Sequence, residues 1–308
     1  MAKKCRKFRL HKSFTKSLRK VSVDSPTAPT YNNCKRAKGT IWDNLDKELR
    51  MAKNASGYNS ITQLSRPKVT LIAHTVPVDG AIESVKNTDS LSFDESVGAK
   101  IVEFAGRICY DSFLPPHSQS GSQYLQKLIK LGHGSVLEHV VYTFLVVCSR
   151  ATSHEIIRHR AGCSYSERSL RWCEPIGIML PEDEEAHDDV KDVYRDAVTR
   201  YIRVAEKLLH KVYEGKLSKE KPRKWANGIA RYLLPLCTLT ELVVTMNARA
   251  VRNFLEQRGS KEADWEIRQV ALAIYEIVKH VSPWLVFDFT YTSNGERDGF
   301  LTCEHHKV

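Results

Sequence analysis

Charge is divided more sharply along this chain than any other property, and the division limits how much of it can build a folded body. Fifteen of the 47 Lys and Arg residues and four of the 36 Asp and Glu residues fall within residues 1–65, so this segment carries the whole net charge of +11. The other 243 residues hold 32 of each sign and are neutral. Residues 1–23 contain nine basic side chains and no acid, and the stretch after them is broken by Ser25-Pro26-Thr27-Ala28-Pro29, Asn32-Asn33 and Asn54-Ala55-Ser56-Gly57. With few aliphatic side chains to bury, residues 1–65 are expected to form a basic, disordered arm. Phe14, Leu18 and Val21 share one helical face, which leaves a short amphipathic helix open there. Lys outnumbers Arg in the arm and no small-residue cleavage site is obvious, which argues against a secretory leader and makes only a weak case for a transit peptide.

Residues 66–308 are therefore expected to form the folded domain. No apolar run in the chain approaches the ~20 residues that span a bilayer. Eight cysteines stand at 5, 34, 109, 148, 163, 173, 237 and 303 without one Cys-x-x-Cys pair, so spacing gives neither a disulfide framework nor a zinc site. A reducing cytoplasm fits them best. Cys303-Glu304-His305-His306 has metal-ligand residue types but lacks partner ligands, so a frayed C-terminus with no metal is expected.

Within that domain, Val69 to His74 after Pro67 reads as the first strand. Val97, Ile101, Ala105 and Ile108 recur at helical spacing, and Tyr124, Leu125, Leu128 and Ile129 mark a second helix stopped by Gly132. Val140 to Val147 reads as a strand, after which Ser149 can cap a helix running through Arg158. Residues 187–213 give the longest amphipathic helix, with Val190, Val193, Ala197, Tyr201, Val204, Leu208 and Val212 on one stripe. The acids at 182–185, 188 and 189 complement its start. Helices near 223–233, 248–257 and 263–280, and a strand at Leu242-Val243-Val244, complete the pattern. Helices and strands do not alternate as βαβ units, so the class is α+β.

Polar chemistry concentrates between Glu155 and Trp172. Glu155-Ile-Ile-Arg158-His159-Arg160 leads into Ala-Gly-Cys-Ser164-Tyr165-Ser166-Glu167-Arg168-Ser169-Leu170-Arg171. Guanidinium forks match phosphate geometry, and a Gly/Ser loop offers free backbone amides, a combination suited to an anionic nucleotide. A solvated charged face is the other reading. Ile156, Ile157, Tyr165 and Trp172, interleaved with the charges, favour partial burial.

Arg158-His159-Arg160 followed by Ser169 resembles the signature of the flavin-dependent thymidylate synthases, although eight residues separate Arg160 from Ser169 where the family usually has seven. The extra residue falls near Gly162 or Cys163. Two further blocks resemble the family in the expected order. One is Gly132-His133-Gly-Ser135-Val-Leu-Glu138-His139. The other runs from Leu234-Pro235 through Asn247-Ala248-Arg249-Ala-Val-Arg-Asn253-Phe-Leu-Glu-Gln-Arg258 to Ala263-Asp-Trp-Glu266-Ile-Arg268. The resemblance covers about residues 69–290 and implies that family's α+β fold, helices on a small, mainly antiparallel sheet. It implies reductive methylation of dUMP to dTMP, with FAD as cofactor and NADPH and methylenetetrahydrofolate as co-substrates. Ser135, Arg158, His159, Arg160, Glu167, Asn247, Ala248, Arg249 and Asn253 would hold FAD. The nucleotide would lie against Glu155, Ile156, Ile157 and Arg158 of one subunit and Glu167, Arg168, Ser169, Leu170 and Arg171 of another, with Arg231 and Arg258 completing a site in a homotetramer. Arg258 would activate the uracil ring, and Ser169 would position the nucleotide rather than attack it. Two positions depart from the family: Glu155 stands where Gln is frequent, and Gly228 where Glu is frequent.

Cys163 and Cys173 flank arginines that could lower a thiol pKa, but no nucleophilic role is expected for either, because the family resembled uses no cysteine nucleophile. The chain shows no Pro-Cys-His context of the cysteine-dependent thymidylate synthases, and no Gly-x-Gly-x-x-Gly fingerprint for the flavin. A protein binding nucleic acid through the 1–65 arm is the competing reading. The neutral body speaks against it, because a nucleic-acid-binding face normally biases its whole domain.

Overall fold

The apolar side chains of 141–147 and 239–246 can be buried only if each strand turns one face inward, and the two pair with each other to do so. The computed structural model describes residues 62–306 except 87, 89, 90, 92, 114–119, 294, 296 and 297. Its strands and helices begin with β1 (Thr62–Leu64), β2 (Lys68–His74), α1 (Ala81–Val85), α2 (Ala99–Tyr110) and α3 (Gly121–Lys130). Next come β3 (Val141–Ser149), α4 (Arg150–Ile156), β4 (Cys163–Glu167), β5 (Gly177–Met179) and α5 (His187–Tyr213). The remainder is α6 (Pro222–Ala230), β6 (Leu239–Asn247), α7 (Ala248–Arg258), α8 (Trp265–Val281), β7 (Phe289–Ser293) and β8 (Gly299–Cys303).

The main sheet is antiparallel in the order β2-β3-β6-β4. Tyr142 stands opposite Met246, Phe144 opposite Val244 and Val146 opposite Leu242, and all six side chains are at most 1% exposed. Side chains alternate along a strand, so these six share one apolar face. Helices α2, α3, α7 and α8 contribute to the same core, α8 through Ile267, Val270, Ile274 and Val278. Beyond the sheet, α5 forms two smaller clusters, one with Ile178 and Leu180 and one with Ala230 of α6. The chain is α+β.

Several elements differ from the sequence reading. Helix α2 buries Ala99, Val102 and Gly106 with an ion pair between Glu103 and Arg107 at 2.7 Å, while Ile108 is 49% exposed. A buried salt bridge made the inner face look polar, which rotated the expected stripe. Helix α5 spans 187–213 as the periodicity indicates, but it buries Tyr194, Val198, Tyr201 and Ala205, and Val193 faces outward. Asp188 and Asp189 sit in its first turn. Strand β1, within the segment expected to be arm, pairs in parallel with β5. The C-terminus is not frayed through His306. Arg252 on α7 bonds Asp288 at 2.7 Å and the His305 carbonyl at 3.0 Å, and the His305 amide donates to Asp288 at 3.2 Å. The possible helix around Phe14, Leu18 and Val21 lies outside the described residues, as do Cys5, Cys34 and His117. Among the described residues no helix is long and apolar enough to cross a membrane.

Candidate functional site

Helix α4 begins where β3 ends. Ser149 caps it by accepting the Thr152 amide at 3.1 Å, and Glu266 of α8 in turn accepts from the Ser149 amide and hydroxyl at 2.7 and 2.5 Å. Burial raises the Glu266 pKa, opposed by those hydrogen bonds. The helix ends at Ile156, two residues before the expected Arg158, and turn hydrogen bonds from Arg158 to Glu155 and from His159 to Ile156 carry the chain out of it. Tyr165 on β4 closes the turn by donating its hydroxyl to the Ile156 and His159 carbonyls.

The loop then crosses the start of α7. Gly162 has φ +70°, and a Cβ there would stand 2.5 Å from the Asn247 side chain. Only glycine adopts this conformation and this approach without strain. The Asn247 amide donates to the Gly162 carbonyl at 2.9 Å, and Asn247 caps α7 by accepting the Ala250 amide at 2.8 Å. A cavity of about 550 Å³ opens at this junction, lined by Glu138, Ala161, Gly162, Asn247, Arg249 and Asn253 among others. Arg249 and Glu138 pair across it at 2.7 Å.

At its far end, α7 returns to α4. The Arg258 Nη1 donates to Glu155 Oε2 and its Nε to His159 Nε2, both at 2.9 Å. His159 also meets the Phe254 ring edge-on at 5.0 Å between centroids. Burial, then the charges of Arg258 and Arg158, hold the His159 pKa below the ordinary imidazole value. The neutral ring therefore presents Nε2 as the acceptor that Arg258 needs.

Glu155 and His154 are sequence neighbours on different faces of α4. His154 and Arg150, one turn apart, line a second pocket of about 370 Å³ with Leu170, Arg231, Tyr232 and Leu236. Glu167 belongs to this side. It accepts from Arg150 at 2.8 Å and Thr240 at 3.1 Å. Arg168 pairs with Glu241 at 3.1 Å, and Ser169 Oγ lies 3.4 Å from the Arg171 amide. A Cβ on Gly228 would stand 3.8 Å from Arg171 Nε, so this position faces Arg171.

Of the residues expected to hold FAD, Asn247, Arg249 and Asn253 line the larger cavity. Ser135, exposed on the 3-10 turn Gly134–His139, and Glu167 do not. Arg158 and Arg160 are exposed, and Ile157 is half-buried. Ile156 and Ala248 are buried in the core, so only their backbone can meet a ligand. The sequence reading did not single out Arg150, Phe254 or a role for Glu138. Glu138 was legible as a neighbour of Ser135. Arg150 carried no signal beyond its place after the Ser149 cap.

A family model described as "Thymidylate synthase complementing protein" matches residues 93–284. The flavin-dependent thymidylate synthase of Mycobacterium sp. (strain JLS) is 36% identical over 238 residues, covering 72% of this chain and 89% of its own. That of Mycobacterium leprae (strain TN) is 34% identical over 246 residues, covering 76% and 94%. That of Mycobacterium tuberculosis (strain ATCC 25177 / H37Ra) is 34% identical over 238 residues, covering 72% and 94%.

Proposed function

Because this chain belongs to the flavin-dependent thymidylate synthase family, we propose that Arg258 and the residues around it are where it methylates dUMP to dTMP. The family reaction uses FAD, with NADPH as reductant and methylenetetrahydrofolate as carbon donor. The residues at the larger cavity fit a flavin nucleotide. Gly162 leaves a backbone cradle that any Cβ would fill, and Asn247, Arg249 and Asn253 supply polar groups beside it. Arg158, His159, Arg160 and the Ala248 backbone complete the set assigned to FAD, with Ser135 and Glu167 contributing in the assembled enzyme. When bound, FAD supplies the redox chemistry.

The observation that carries the reading is the double hold on Arg258. Methylation at carbon 5 of uracil needs an electron-rich ring, and a cation fixed beforehand stabilises the negative charge that develops there. Glu155 and His159 fix the guanidinium from two sides, so its orientation need not be found during reaction. Arginine suits the role because it stays charged when partly desolvated. The carboxylate of Glu155, unfavourable beside a nucleotide on its own, is neutralised by Arg258.

The nucleotide lies between Glu155 to Arg158 of one subunit and Glu167 to Arg171 with Arg231 of another. The opposed faces of α4 support this division, since within one chain Glu155 bonds Arg258 while His154 lines the pocket with Arg231. The proposed assembly is a homotetramer working in the cytoplasm. The basic segment ahead of β1 falls outside the proposed catalytic domain, and its deletion up to Ile61 is expected to leave turnover near normal. Loss of activity in a truncated protein that still binds FAD would refute that.

The test is the absorbance spectrum of the pure protein followed by tritium release from carbon-5-labelled dUMP. A protein that takes up no FAD at micromolar concentration and releases no tritium would end the reading. Salt-sensitive nucleic-acid binding by a colourless protein would favour the competing one.

A further inference from the structure

We infer that the exposed surface around Trp172 and the start of α6 binds the oligoglutamate tail of the folate carbon donor, through Lys221 and Lys224. The inference rests on the functional reading above and extends it to a surface that reading leaves unassigned.

Residues 216–224 hold five basic side chains and one acid, Glu220. Lys216 pairs with Glu214 at 2.7 Å and Arg223 stands 3.8 Å from Glu174, while Lys219, Lys221 and Lys224 have no ion pair among the described residues. Trp172 is 56% exposed, and Lys224 Nζ stands 4.6 Å and Lys221 Nζ 5.9 Å from the centre of its ring. These cation–π contacts hold two flexible stems in place without consuming their N–H donors. No side chain caps α6 at Lys221, so the positive end of the helix adds to the same field. Lys221, Lys224 and Gly228 fall on one face of α6. Gly228 faces Arg171, so the patch runs up to the edge of the 167–171 segment assigned to the nucleotide.

A ligand for this surface needs several negative charges on a flexible chain. Methylenetetrahydrofolate ends in a glutamate, and each further glutamate joined through a γ-carboxyl adds one carboxylate. Ammonium groups on mobile stems suit such spaced point charges, whereas phosphates are matched by guanidinium forks. Single-stranded nucleic acid also stacks its bases on open aromatic faces, and here the indole already carries two ammonium groups. Tethering the donor at a second point lowers its KM without altering the chemical step.

The experiment measures KM and kcat for monoglutamyl and pentaglutamyl methylenetetrahydrofolate, with dUMP and NADPH saturating, in FAD-loaded wild type and in the double variant Lys221→Gln/Lys224→Gln. Exposed ion pairs are individually weak, so wild type should favour the pentaglutamyl donor roughly 5- to 20-fold in KM at low salt and less at high salt. The double variant should lose that preference and keep wild-type kcat and KM for the monoglutamyl donor. Free γ-linked pentaglutamate should change the Trp172 fluorescence, a signal absent from Trp172→Phe. Equal KM for the two donors in wild type, or an undiminished preference in the double variant, overturns the inference. So does a Trp172 response to oligothymidylate but not to pentaglutamate, which would assign the surface to nucleic acid. A wild type that uses both donors with equal KM leaves the functional reading standing, whereas one that forms dTMP from neither overturns that reading and this inference with it.

Discussion

The two cavities flanking the signature segment are built on different terms. The larger sits at a junction held within its own chain: Gly162 presses on Asn247 and Asn247 caps α7, whose far end brings Arg258 to Glu155 and His159. The smaller opens between Arg150 and Arg231 beneath exposed apolar side chains, Tyr232 at 84% and Leu236 at 59%. A chain that completes one half-site and leaves the other bordered by exposed apolar surface is suited to a site finished by a second copy. The difference teaches that the Arg258 guanidinium is oriented by contacts within its own chain, whereas the smaller pocket is left bordered by exposed apolar surface.

Arg258→Ala should separate the two halves most severely. Losing one preorganised donor lowers rates by ~10²–10³, and FAD and the Arg150 pocket should remain. Single-turnover flavin oxidation with dUMP and folate present checks this. Wild-type rates there would remove the ring-activating role from Arg258. Arg258→Lys should rescue poorly, because one ammonium nitrogen cannot reproduce the planar fork whose Nε and Nη1 reach His159 and Glu155.

Next in size is Gly162→Ala. A left-handed conformation at a non-glycine residue costs about 1–2 kcal/mol, and the new Cβ would also displace Asn247. FAD affinity should fall about tenfold or more by titration while KM for dUMP stays. A rise in that KM would show that the two cavities are not independent.

Tyr232→Ala should act on the other half. If Tyr232 lies at a subunit contact, truncation should weaken assembly by more than about 1 kcal/mol, read as smaller species in sedimentation at low concentration. Unchanged assembly would place the shared surface elsewhere.

The smallest effect concerns acid. The folded-state pKa of His159 is depressed, so the stability gained from keeping the ring neutral is complete above the ordinary imidazole value of about 6.5 and is lost as pH falls below it. Protonation also removes the acceptor for Arg258. Activity should decline on the acid side, and His159→Gln should flatten that limb. An unaltered acid limb in the variant would assign it to another group.

How much of this was legible varied with the kind of interaction. Helix α5 was readable to its ends because acids at its start and apolar periodicity through Val212 are local signals. Strand β4 was hidden, since Ser164-Tyr165-Ser166-Glu167 alternates without an apolar set, as an edge strand can. The buried Glu103–Arg107 pair disguised the inner face of α2. At the site, the Arg-His-Arg block marked the right segment. The bonds from Arg258 to Glu155 and His159 span about a hundred positions of sequence and follow from the return of α7, which no local pattern encodes. Arg150 was missed because an arginine after a helix cap is ordinary until Glu167 and Arg231 are seen beside it.

Helix α4 also dictates where this sequence can change length. His154 and Glu155 are adjacent, yet one faces the Arg231 pocket and the other Arg258. A residue added or removed within the helix would turn everything after it by roughly 100°, pointing each side chain at the wrong chamber while leaving composition almost untouched. Past Ile156 that gearing disengages, and the loop through Gly162 can absorb a change of length before β4 takes up the sheet register again. Insertions and deletions should therefore be far less tolerated across 150–156 than across 157–162, even where every charged side chain is retained.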